Sequence, residues 1–350
     1  MKYKLLGNSG LRVSELFLGG MTIGNQWGWG SEKEESLKIL KTYSEANGNF
    51  LDTSCNYQDG DSERIIGEFV NGDRDRYIIA TKYSLHDHRY RNDINAGGNA
   101  RKNLLRTVRD SLERLNTKYI DVLYVHMWDF STGIPEIMKT LNDLVASTKV
   151  NYIAISDTPA WIVAKANLMA EHYGWEPFSI YQFPYSIVRR DVERDVIPYC
   201  KYHNMAMAPF GILNSGLYTG KFTRPGMDKT GRLTKEENFQ VPERAIIIAK
   251  EVDSIADEIG ATSAQVATQW TRMIDPLVFP IVGATNAEQM AESLKSVDIT
   301  LTQDHMDRLD KLIREHYGFD HGFHKDWYHG TTHHFFGDRY KELIHHKEVY

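Results

Sequence analysis

The chain has 350 residues, with 41 Lys and Arg against 47 Asp and Glu, for a net charge of −6. It contains no basic block, so nucleic acid is not favoured as a partner, and its 41% hydrophobic content is too high for disorder. The sequence has no apolar run of about 18 residues and no apolar signal core at its N-terminus, so we expect neither a membrane span nor export. Its two cysteines, Cys55 and Cys200, are too few for a disulfide scaffold or a structural zinc site and fit a reducing cytoplasm.

Strands and helices alternate along the chain after an N-terminal hairpin. The hairpin at residues 3–13 is predicted from two short apolar–polar runs that flank the turn GNSG. Ser31 is the candidate N-cap of the first helix. One predicted strand ends at residues 50–51, and the others lie at residues 16–24, 76–82, 119–126, 149–156, 178–185, 205–210 and 276–283. The predicted helices lie at residues 32–46, 61–70, 101–116, 134–147, 159–174, 191–204, 243–260, 262–274 and 286–297.

Eight such strand–helix units predict an α/β fold of the (β/α)8 TIM-barrel type over residues 1–316. The alternative is a doubly wound open sheet, which is disfavoured by the number of units and because no GxGxxG follows a strand. Residues 211–240 are a long irregular segment, and loops of that length are usually functional.

Residues 317–350 form a C-terminal extension that is rich in His, Trp, Tyr and Phe. We expect it to pack on the barrel, to cover the barrel mouth or to form a contact between subunits. The pairs His333–His334 and His345–His346 are candidate metal ligands, but no third ligand stands at a suitable spacing and no HExxH pattern is present. The prediction is therefore that the protein binds no metal.

Polar side chains follow three successive predicted strands. Asp52 and Tyr57 come after the strand that ends at residue 51, Lys82 ends the next strand, and His126 ends the one after it. The carboxyl ends of barrel strands are where these enzymes place their chemistry. Each residue alone also has a structural interpretation, as a helix cap, a packed tyrosine, a solvated lysine or a core histidine. The four together, at successive strand ends, predict a catalytic set.

A free tyrosine hydroxyl, with a pKa of about 10, is a poor acid or base near neutrality. A lysine cation beside it favours the phenolate, so Lys82 is predicted to lower the pKa of Tyr57, with Asp52 holding the ammonium in place. A nearby histidine can donate to a substrate carbonyl or help to relay the proton. Such a site protonates a carbonyl oxygen while a hydride reaches the carbon, with Tyr57 as the predicted general acid and His126 orienting the carbonyl.

Several long segments resemble the aldo-keto reductase superfamily. These are DTSCNYQDGDSERIIGE, ATKYS and DVLYVH. Three further runs resemble its aryl-alcohol dehydrogenase branch: NYIAISDTPAWIVAKAN, PFSIYQFPYSIVRRDVERDVIPYC and MAMAPFGILNSGLYTGKF. The resemblance extends over residues 1–316. It implies reversible, metal-free reduction of small aldehydes or ketones, above all aryl aldehydes, with NADP(H) as the cofactor.

Two segments are candidate phosphate sites. In residues 282–293 a strand, a Gly and a Thr precede a helix start, where free N–H groups bind anions, although an ordinary helix start is the alternative. The loop GILNSGLYTGK offers backbone amides and two polar side chains. The resemblance implies that the cofactor contacts Gly20, Met21, Thr22, Asp52, Ser156, Asp157, Gln182, Met207, Pro209, Phe210, Gly211, Leu213, Ser215, Gly216, Lys221, Gly283, Thr285, Gln289 and Ser293.

Five of these positions depart from the family pattern, among them Ser293, which stands where an asparagine is usual. Asp157 stands where an asparagine is common, and as an anion it accepts but cannot donate a hydrogen bond to the nicotinamide carboxamide. Met207 stands where many members have an aromatic residue on the nicotinamide, so Phe210 is expected to take over some of that contact. Thr285 and Gln289 stand where some members have arginine contacts to the 2′-phosphate.

Aromatic residues in the first loop and after strand ends predict an apolar substrate pocket. The predicted substrate contacts are Trp27, Trp29 and Trp128 together with Tyr57 and His126, and Phe130, Phe183 and Tyr185 are further candidates for the barrel mouth. The alternative that several of these rings only pack the loops stays open.

Two other functions remain as alternatives. One is a nicotinamide-sensing regulatory β subunit with little turnover, and the other is a lyase or isomerase that forms a Schiff base on Lys82. A homo-oligomer is possible.

Overall fold

The computed structural model of the protein describes residues 1–227 and 241–318. Part of the predicted irregular segment (228–240) and nearly all of the predicted C-terminal extension (319–350), with both histidine pairs, lie outside the described residues. Within the described ranges, no helix combines the length and the apolar character needed to cross a bilayer.

The described elements form a (β/α)8 barrel preceded by a hairpin, as the sequence predicts. The strands are Tyr3–Leu5 (β1), Arg12–Ser14 (β2), Phe17–Gly19 (β3), Phe50–Asp52 (β4), Ile78–Tyr83 (β5), Ile120–Val125 (β6), Val150–Ser156 (β7), Ile180–Pro184 (β8), Ala206–Phe210 (β9) and Ile281–Val282 (β10). The helices are Lys33–Glu45 (α1), Asp61–Val70 (α2), Arg101–Arg114 (α3), Ile134–Ala146 (α4), Ala160–Tyr173 (α5), Val196–His203 (α6), Glu243–Ile259 (α7), Ser263–Arg272 (α8), Ala287–Leu294 (α9) and Gln303–Tyr317 (α10). The last helix, α10, was not among the predicted elements.

Eight parallel strands form the barrel wall in the order β10–β3–β4–β5–β6–β7–β8–β9. The wall closes between β9 and the segment before β10, where the Met207 amide donates to the Leu277 carbonyl at 2.9 Å and the Phe279 amide donates to the Met207 carbonyl at 2.8 Å. The predicted strand 276–283 is reduced to two residues because Pro280, which has no N–H, interrupts its hydrogen-bond ladder.

The lower half of the barrel is filled by apolar side chains. Phe17 stacks on Phe50 with ring centroids 3.6 Å apart and on Phe279 at 5.0 Å, and all three rings lie near the start of their strands. Leu6 and Val13 of the hairpin belong to the same buried cluster. The N-terminal end of the barrel is therefore plugged, which leaves the carboxyl ends of the strands as the open face.

One local prediction is wrong. Glu32, not Ser31, precedes α1, and it makes no side-chain cap bond. The Ser31 hydroxyl instead donates to the Thr285 carbonyl at 2.8 Å. Ser31 therefore ties the first loop to the last loop of the barrel and is not available to cap the helix.

Candidate active site

The four predicted catalytic residues converge at the carboxyl edge of the barrel. Lys82 in β5 donates its Nζ to Oδ1 of Asp52, the last residue of β4, and also to the Tyr57 hydroxyl at 3.4 Å. The Tyr57 ring stands edge-on to His126, which directly follows β6, with centroids 5.7 Å apart. Parallel strands bring residues that are distant in the chain to one edge, and here they place a phenol, an ammonium, a carboxylate and an imidazole within reach of each other.

The Lys82 ammonium is fully buried and uses its three donors within the site. Besides Asp52 and Tyr57, it donates to the Thr53 carbonyl at 2.8 Å. Gln182 in β8 holds the other side of the carboxylate, because its Nε2 donates to Asp52 Oδ2 at 2.8 Å. Gln182 is predicted from the sequence to contact the cofactor, but its bond to Asp52, which spans 130 positions of the chain, is not predicted.

Burial alone would lower the pKa of Lys82, but the charges and hydrogen bonds of Asp52 and Tyr57 raise it overall, so the amine stays cationic. Burial raises the pKa of Tyr57, and Lys82 opposes this shift without cancelling it, while Asp52 adds to it. Lys82 thus acts on the pKa of Tyr57 in the predicted direction, but burial outweighs it and the net shift is upward. The consequence is a phenol that keeps its proton at neutral pH and is available as an acid.

His126 is neutral, because burial and the nearby Lys82 cation hold its pKa well below the ordinary range. Its Nδ1 lies 3.1 Å from the Ser54 hydroxyl, which also lies 2.7 Å from Asn56 Oδ1. Ser54 was not predicted as a site residue. The signal that could have identified it is its position two residues after Asp52, in the same strand-end loop.

Aromatic side chains of the first loop stand beside Tyr57. The ring centroids of Trp27 and Tyr57 are 6.4 Å apart, and those of Trp27 and Trp29 are 5.3 Å apart. Both tryptophans are half-buried, as expected for the wall of an open pocket. Phe130 is 70% exposed. The structure thus brings Trp27, with Trp29 beside it, to Tyr57, the predicted acid.

The other candidate pocket rings are buried. Trp128, Phe183 and Tyr185 belong to the apolar cluster between the sheet and the helices. Tyr185 also stacks on Trp270 with centroids 5.3 Å apart and donates to Glu193 at 2.5 Å. These three rings fit the alternative that they pack the fold, and the contact predicted between Trp128 and substrate stays a prediction.

The predicted nicotinamide residues lie next to the catalytic set. The Ser156 hydroxyl is buried and has no hydrogen-bond partner among the described residues. Asp157, half-buried and with a left-handed φ of 39°, donates its backbone N–H to the Gln182 carbonyl at 3.2 Å. Burial raises the pKa of Asp157 to about 6, against the opposing charges of Lys82 and Arg189.

The β9 residues differ in their access to the predicted nicotinamide site. Met207 and Pro209 are buried, and Met207 lies in the layer between the sheet and the helices, whereas Phe210 is half-buried at the strand end. We therefore expect Phe210 rather than Met207 to meet a nicotinamide ring. The contacts of Met207 and Pro209 with a cofactor stay predictions.

The residues after β3 are held by close packing. A Cβ on Gly20 would lie 2.8 Å from the Asp52 carbonyl oxygen, so a glycine is needed there to let β4 approach. The Thr22 hydroxyl donates to the Ala284 carbonyl at 2.7 Å, and Met21 between them is half-buried. This geometry accounts for Gly20 and Thr22 as structural residues, and their cofactor contacts stay predictions.

The loop after β9 turns through left-handed glycines. Gly211 and Gly216 have φ values of 70° and 93°, and apart from their chain neighbours no atom of the described residues lies within 4 Å of a Cβ built on either. Ser215 has a φ of 55° and is exposed, while Leu213 and Lys221 are half-buried. The turns leave space beside the loop backbone, which suits the approach of a ligand.

The start of α9 already contains hydrogen-bond acceptors. Gln289 Oε1 accepts from the Thr285 N–H at 2.9 Å and from its hydroxyl at 3.0 Å. Glu35 Oε1 accepts from the Ala287 N–H at 2.8 Å, so a carboxylate of α1 occupies the N-terminus of α9. Gly283, Thr285 and Gln289 are exposed, whereas Ser293 is buried. The phosphate site predicted here thus carries a negative side chain.

The residues at the barrel mouth fit a nicotinamide dinucleotide. The buried Ser156 hydroxyl, which finds no partner in the described ranges, suits a polar ligand, because buried hydroxyls in folded proteins are usually hydrogen-bonded. In the part of the chain that the structure describes, His, Cys, Asp and Glu form no group of three or more that could hold a metal ion.

Comparison with known proteins identifies the family. The family model described as the aldo/keto reductase family matches residues 15–314. The chain belongs to the aldo/keto reductase family. It is 39% identical over 330 residues to an aryl-alcohol dehydrogenase of Pestalotiopsis microspora, covering 92% of this chain and 85% of that protein. It is also 39% identical over 340 residues to an NADP(+) aryl-alcohol dehydrogenase of Phanerodontia chrysosporium, covering 90% and 86%.

A third relative has a different name. The chain is 36% identical over 341 residues to norsolorinic acid reductase B of Dothistroma septosporum, covering 95% of this chain and 85% of that protein. The predicted superfamily and its aryl-alcohol dehydrogenase branch are confirmed. This aldo/keto reductase is an oxidoreductase that reduces carbonyl compounds.

The buried pair of this aldo/keto reductase gives a first prediction. Lys82→Met leaves the Asp52 carboxylate without its cation, and breaking a buried ion pair typically lowers the free energy of unfolding by about 3–5 kcal/mol. Adding Asp52→Leu to Lys82→Met should recover much of that loss. Urea unfolding of the two single variants and the double variant measures both effects.

The surface pair Lys41–Glu45 provides the control, since both side chains are about two-thirds exposed. Lys41→Met should change the free energy of unfolding by less than about 0.5 kcal/mol. A double variant as unstable as the sum of its two single variants would show that the two buried charges do not depend on each other.

Proposed function

We propose that the protein is an NADP(H)-dependent reductase of aldehydes and ketones, with aryl aldehydes as its preferred substrates, and that it works reversibly toward alcohol oxidation. The observation that carries this proposal is the buried Lys82 ammonium, which is hydrogen-bonded to both Asp52 and the Tyr57 hydroxyl beside two tryptophans. Two relatives named as aryl-alcohol dehydrogenases support the substrate class, and the NADP(+) in one of those names supports the cofactor.

In this mechanism Tyr57 is the general acid. Its raised pKa keeps the proton on the phenol until a carbonyl oxygen gains negative charge. Lys82 stabilises the phenolate that remains, and Asp52 and Gln182 hold the ammonium and its carboxylate in place. The nicotinamide, when bound, supplies the hydride to the carbonyl carbon.

His126 orients the carbonyl. A neutral imidazole is able to donate to a carbonyl oxygen from Nε2 in the tautomer whose Nδ1 accepts from the Ser54 hydroxyl. In that tautomer the single Ser54 proton turns away from Asn56 Oδ1, which lies 2.7 Å away. The edge-on contact of His126 with Tyr57 places this donor beside the acid. Two donors, the phenol and the imidazole, then converge on one oxygen atom.

A Schiff-base mechanism on Lys82 is disfavoured by the same geometry. An amine must lose its proton before it attacks a carbonyl, and Asp52 raises the pKa of Lys82. Its three donors are also engaged by neighbouring groups. Lys82 is arranged to remain a cation.

Tyr57→Phe tests the acid directly. Loss of general acid catalysis should lower kcat for reduction of an aromatic aldehyde by about 10²–10⁴-fold, because the phenyl ring has no proton to donate. The measurement is the loss of NADPH absorbance, with Tyr202→Phe, a change at a tyrosine that is 58% exposed, as the matched control.

NADPH should bind the Tyr57→Phe variant with nearly unchanged affinity, which separates chemistry from binding. Equal turnover in both enzymes would remove Tyr57 from the mechanism. Binding without turnover in the wild type would favour a sensing role over catalysis.

The Glu35 carboxylate at the start of α9 should weaken binding of the 2′-phosphate. Glu35→Gln keeps an oxygen that accepts from the Ala287 N–H but removes the negative charge. Affinity for NADPH should rise roughly two- to fivefold, the effect of one charge at a helix end, while affinity for NADH changes less. Dissociation constants from cofactor fluorescence measure this.

Glu34→Gln is the matched control, because Glu34 is exposed in the same helix turn and pairs only with Lys38 among the ion pairs described. Equal gains for NADPH and NADH in Glu35→Gln would place the 2′-phosphate elsewhere. Comparable dissociation constants for the two cofactors in the wild type would overturn the NADP preference.

Asp157 should make binding of the nicotinamide depend on pH. Below its pKa of about 6 the carboxyl is protonated and donates a hydrogen bond, and above that pKa it only accepts. Asp157→Asn donates at every pH, so it should bind NADPH several-fold more tightly than the wild type at pH 8 and equally at pH 5.

The ratio of the two dissociation constants is the quantity to follow, because titration of the cofactor's own phosphate affects both proteins alike. The ratio should approach one as the pH falls through 6. A ratio that stays constant from pH 5 to pH 8 would show that Asp157 does not meet the carboxamide.

A further inference from the structure

We propose that Gln58 is a positioning residue that gives the enzyme its preference for aromatic substrates, by fixing the first-loop tryptophans against the acid Tyr57. This inference rests on the proposed function, because it concerns the substrate selectivity of the same site. Gln58 is not among the residues predicted for the site, and it lies directly after the proposed acid in the chain.

The side-chain amide of Gln58 is fully buried and bonded to the first loop on both of its ends. Its Nε2 donates to the Met21 carbonyl at 2.9 Å and to the Trp29 carbonyl at 3.0 Å. Its Oε1 accepts from the Trp27 N–H at 3.0 Å. Both amide protons are therefore used, and all three partners are backbone groups of one loop.

The backbone around Gln58 is held in an uncommon conformation. Gln58 and Asp59 have φ values of 50° and 53°, and Gly60 follows at 89°, so three consecutive residues are left-handed. Non-glycine residues keep such angles only where surrounding contacts hold them. Asp59 supplies one such contact, because its Oδ1 accepts from Trp27 Nε1 at 3.1 Å.

The tight turn brings the tryptophan loop and the acid together. A Cβ on Gly24 would lie 3.1 Å from the Cβ of Gln58, and one on Gly30 would lie 3.1 Å from its Nε2. The loop therefore passes close to the amide with no room for side chains at either position. The Trp27 ring, 6.4 Å from the Tyr57 ring, owes its place to this turn.

The physical consequence concerns where a substrate ring can lie. An aryl aldehyde has a ring to place against Trp27 and Trp29 while its carbonyl meets the Tyr57 hydroxyl. Its alignment therefore depends on the distance between the two tryptophans and Tyr57. A short aliphatic aldehyde has no ring and reaches Tyr57 without contacting the two tryptophans. Loss of the Gln58 amide should therefore affect the two substrate types unequally.

Gln58→Glu tests this with almost no change in size. A carboxylate cannot donate to the Met21 and Trp29 carbonyls, so the tryptophan loop loses its two bonds. We expect kcat/KM for benzaldehyde to fall roughly ten- to a hundredfold, mainly through KM, because small misplacements of a substrate carry losses of this size. We expect kcat/KM for propanal to fall less than about threefold.

Gln26→Glu is the matched control. Gln26 is an exposed amide of the same loop, and the one hydrogen bond described for its side chain goes to Asp61. It should leave the benzaldehyde-to-propanal selectivity unchanged. Gln58→Met, which removes the donors without adding a charge, serves as the second test variant if Gln58→Glu fails to fold, and it should lose the same selectivity.

An equal loss on both aldehydes, or none on either, in a folded Gln58 variant would overturn the inference. The Tyr57→Phe enzyme separates this outcome from failure of the proposed function. If Tyr57→Phe is inactive and Gln58→Glu keeps the wild-type selectivity, only the role of Gln58 is lost. If the wild type itself reduces neither aldehyde with NADPH, the proposed function fails first.

Discussion

A lysine cation with no contact to water is the constraint on which the rest of the site depends. Desolvation of the Lys82 ammonium is costly unless each of its protons finds an acceptor. The acceptors are Asp52, the Thr53 carbonyl and the Tyr57 hydroxyl, and Gln182 supports the carboxylate from across the barrel. One buried charge thereby fixes the relative positions of β4, β5 and β8. The phenol is held by the same network, and its acidity cannot be separated from that of its neighbours.

The barrel separates this charge from its apolar core along its own axis. The stacked rings of Phe17, Phe50 and Phe279 fill the N-terminal half, and the hairpin residues Leu6 and Val13 cover its end. A buried polar layer is stable only at the opposite edge, where loops supply backbone acceptors and a ligand can supply further hydrogen-bonding groups. The choice of residue at each strand end therefore decides function, while the residues at the strand starts decide stability.

The sequence predicted what depends on strand periodicity and on chain order. Asp52, Lys82 and His126 were found because the carboxyl ends of parallel strands meet at one edge. The alternation of strand residues also contained a signal that was not used, since Ala206 and Ala208 face the barrel interior and Met207 between them faces the helices. The bond from Gln182 to Asp52 and the left-handed turn at Gln58 depend on distant partners, and no local pattern contains them. The sign of the Tyr57 pKa shift likewise needed the burial of the whole site.

The two ends of the proposed cofactor site are formed by different parts of the structure. At the nicotinamide end, the geometry is set by the barrel, because Ser156 and Gln182 come from strands locked in register. At the adenosine end, residues 283–293 contain no basic side chain, and α1 adds the carboxylate of Glu35 to the start of α9. A phosphate there would rely on backbone N–H groups and the helix dipole, against the carboxylates of Glu35 and of Glu288 in the first turn of α9. In the proposed cofactor site, a side chain from a neighbouring helix would therefore influence the choice between NADP and NAD, whereas hydride and proton transfer would depend on the residues at the barrel strand ends.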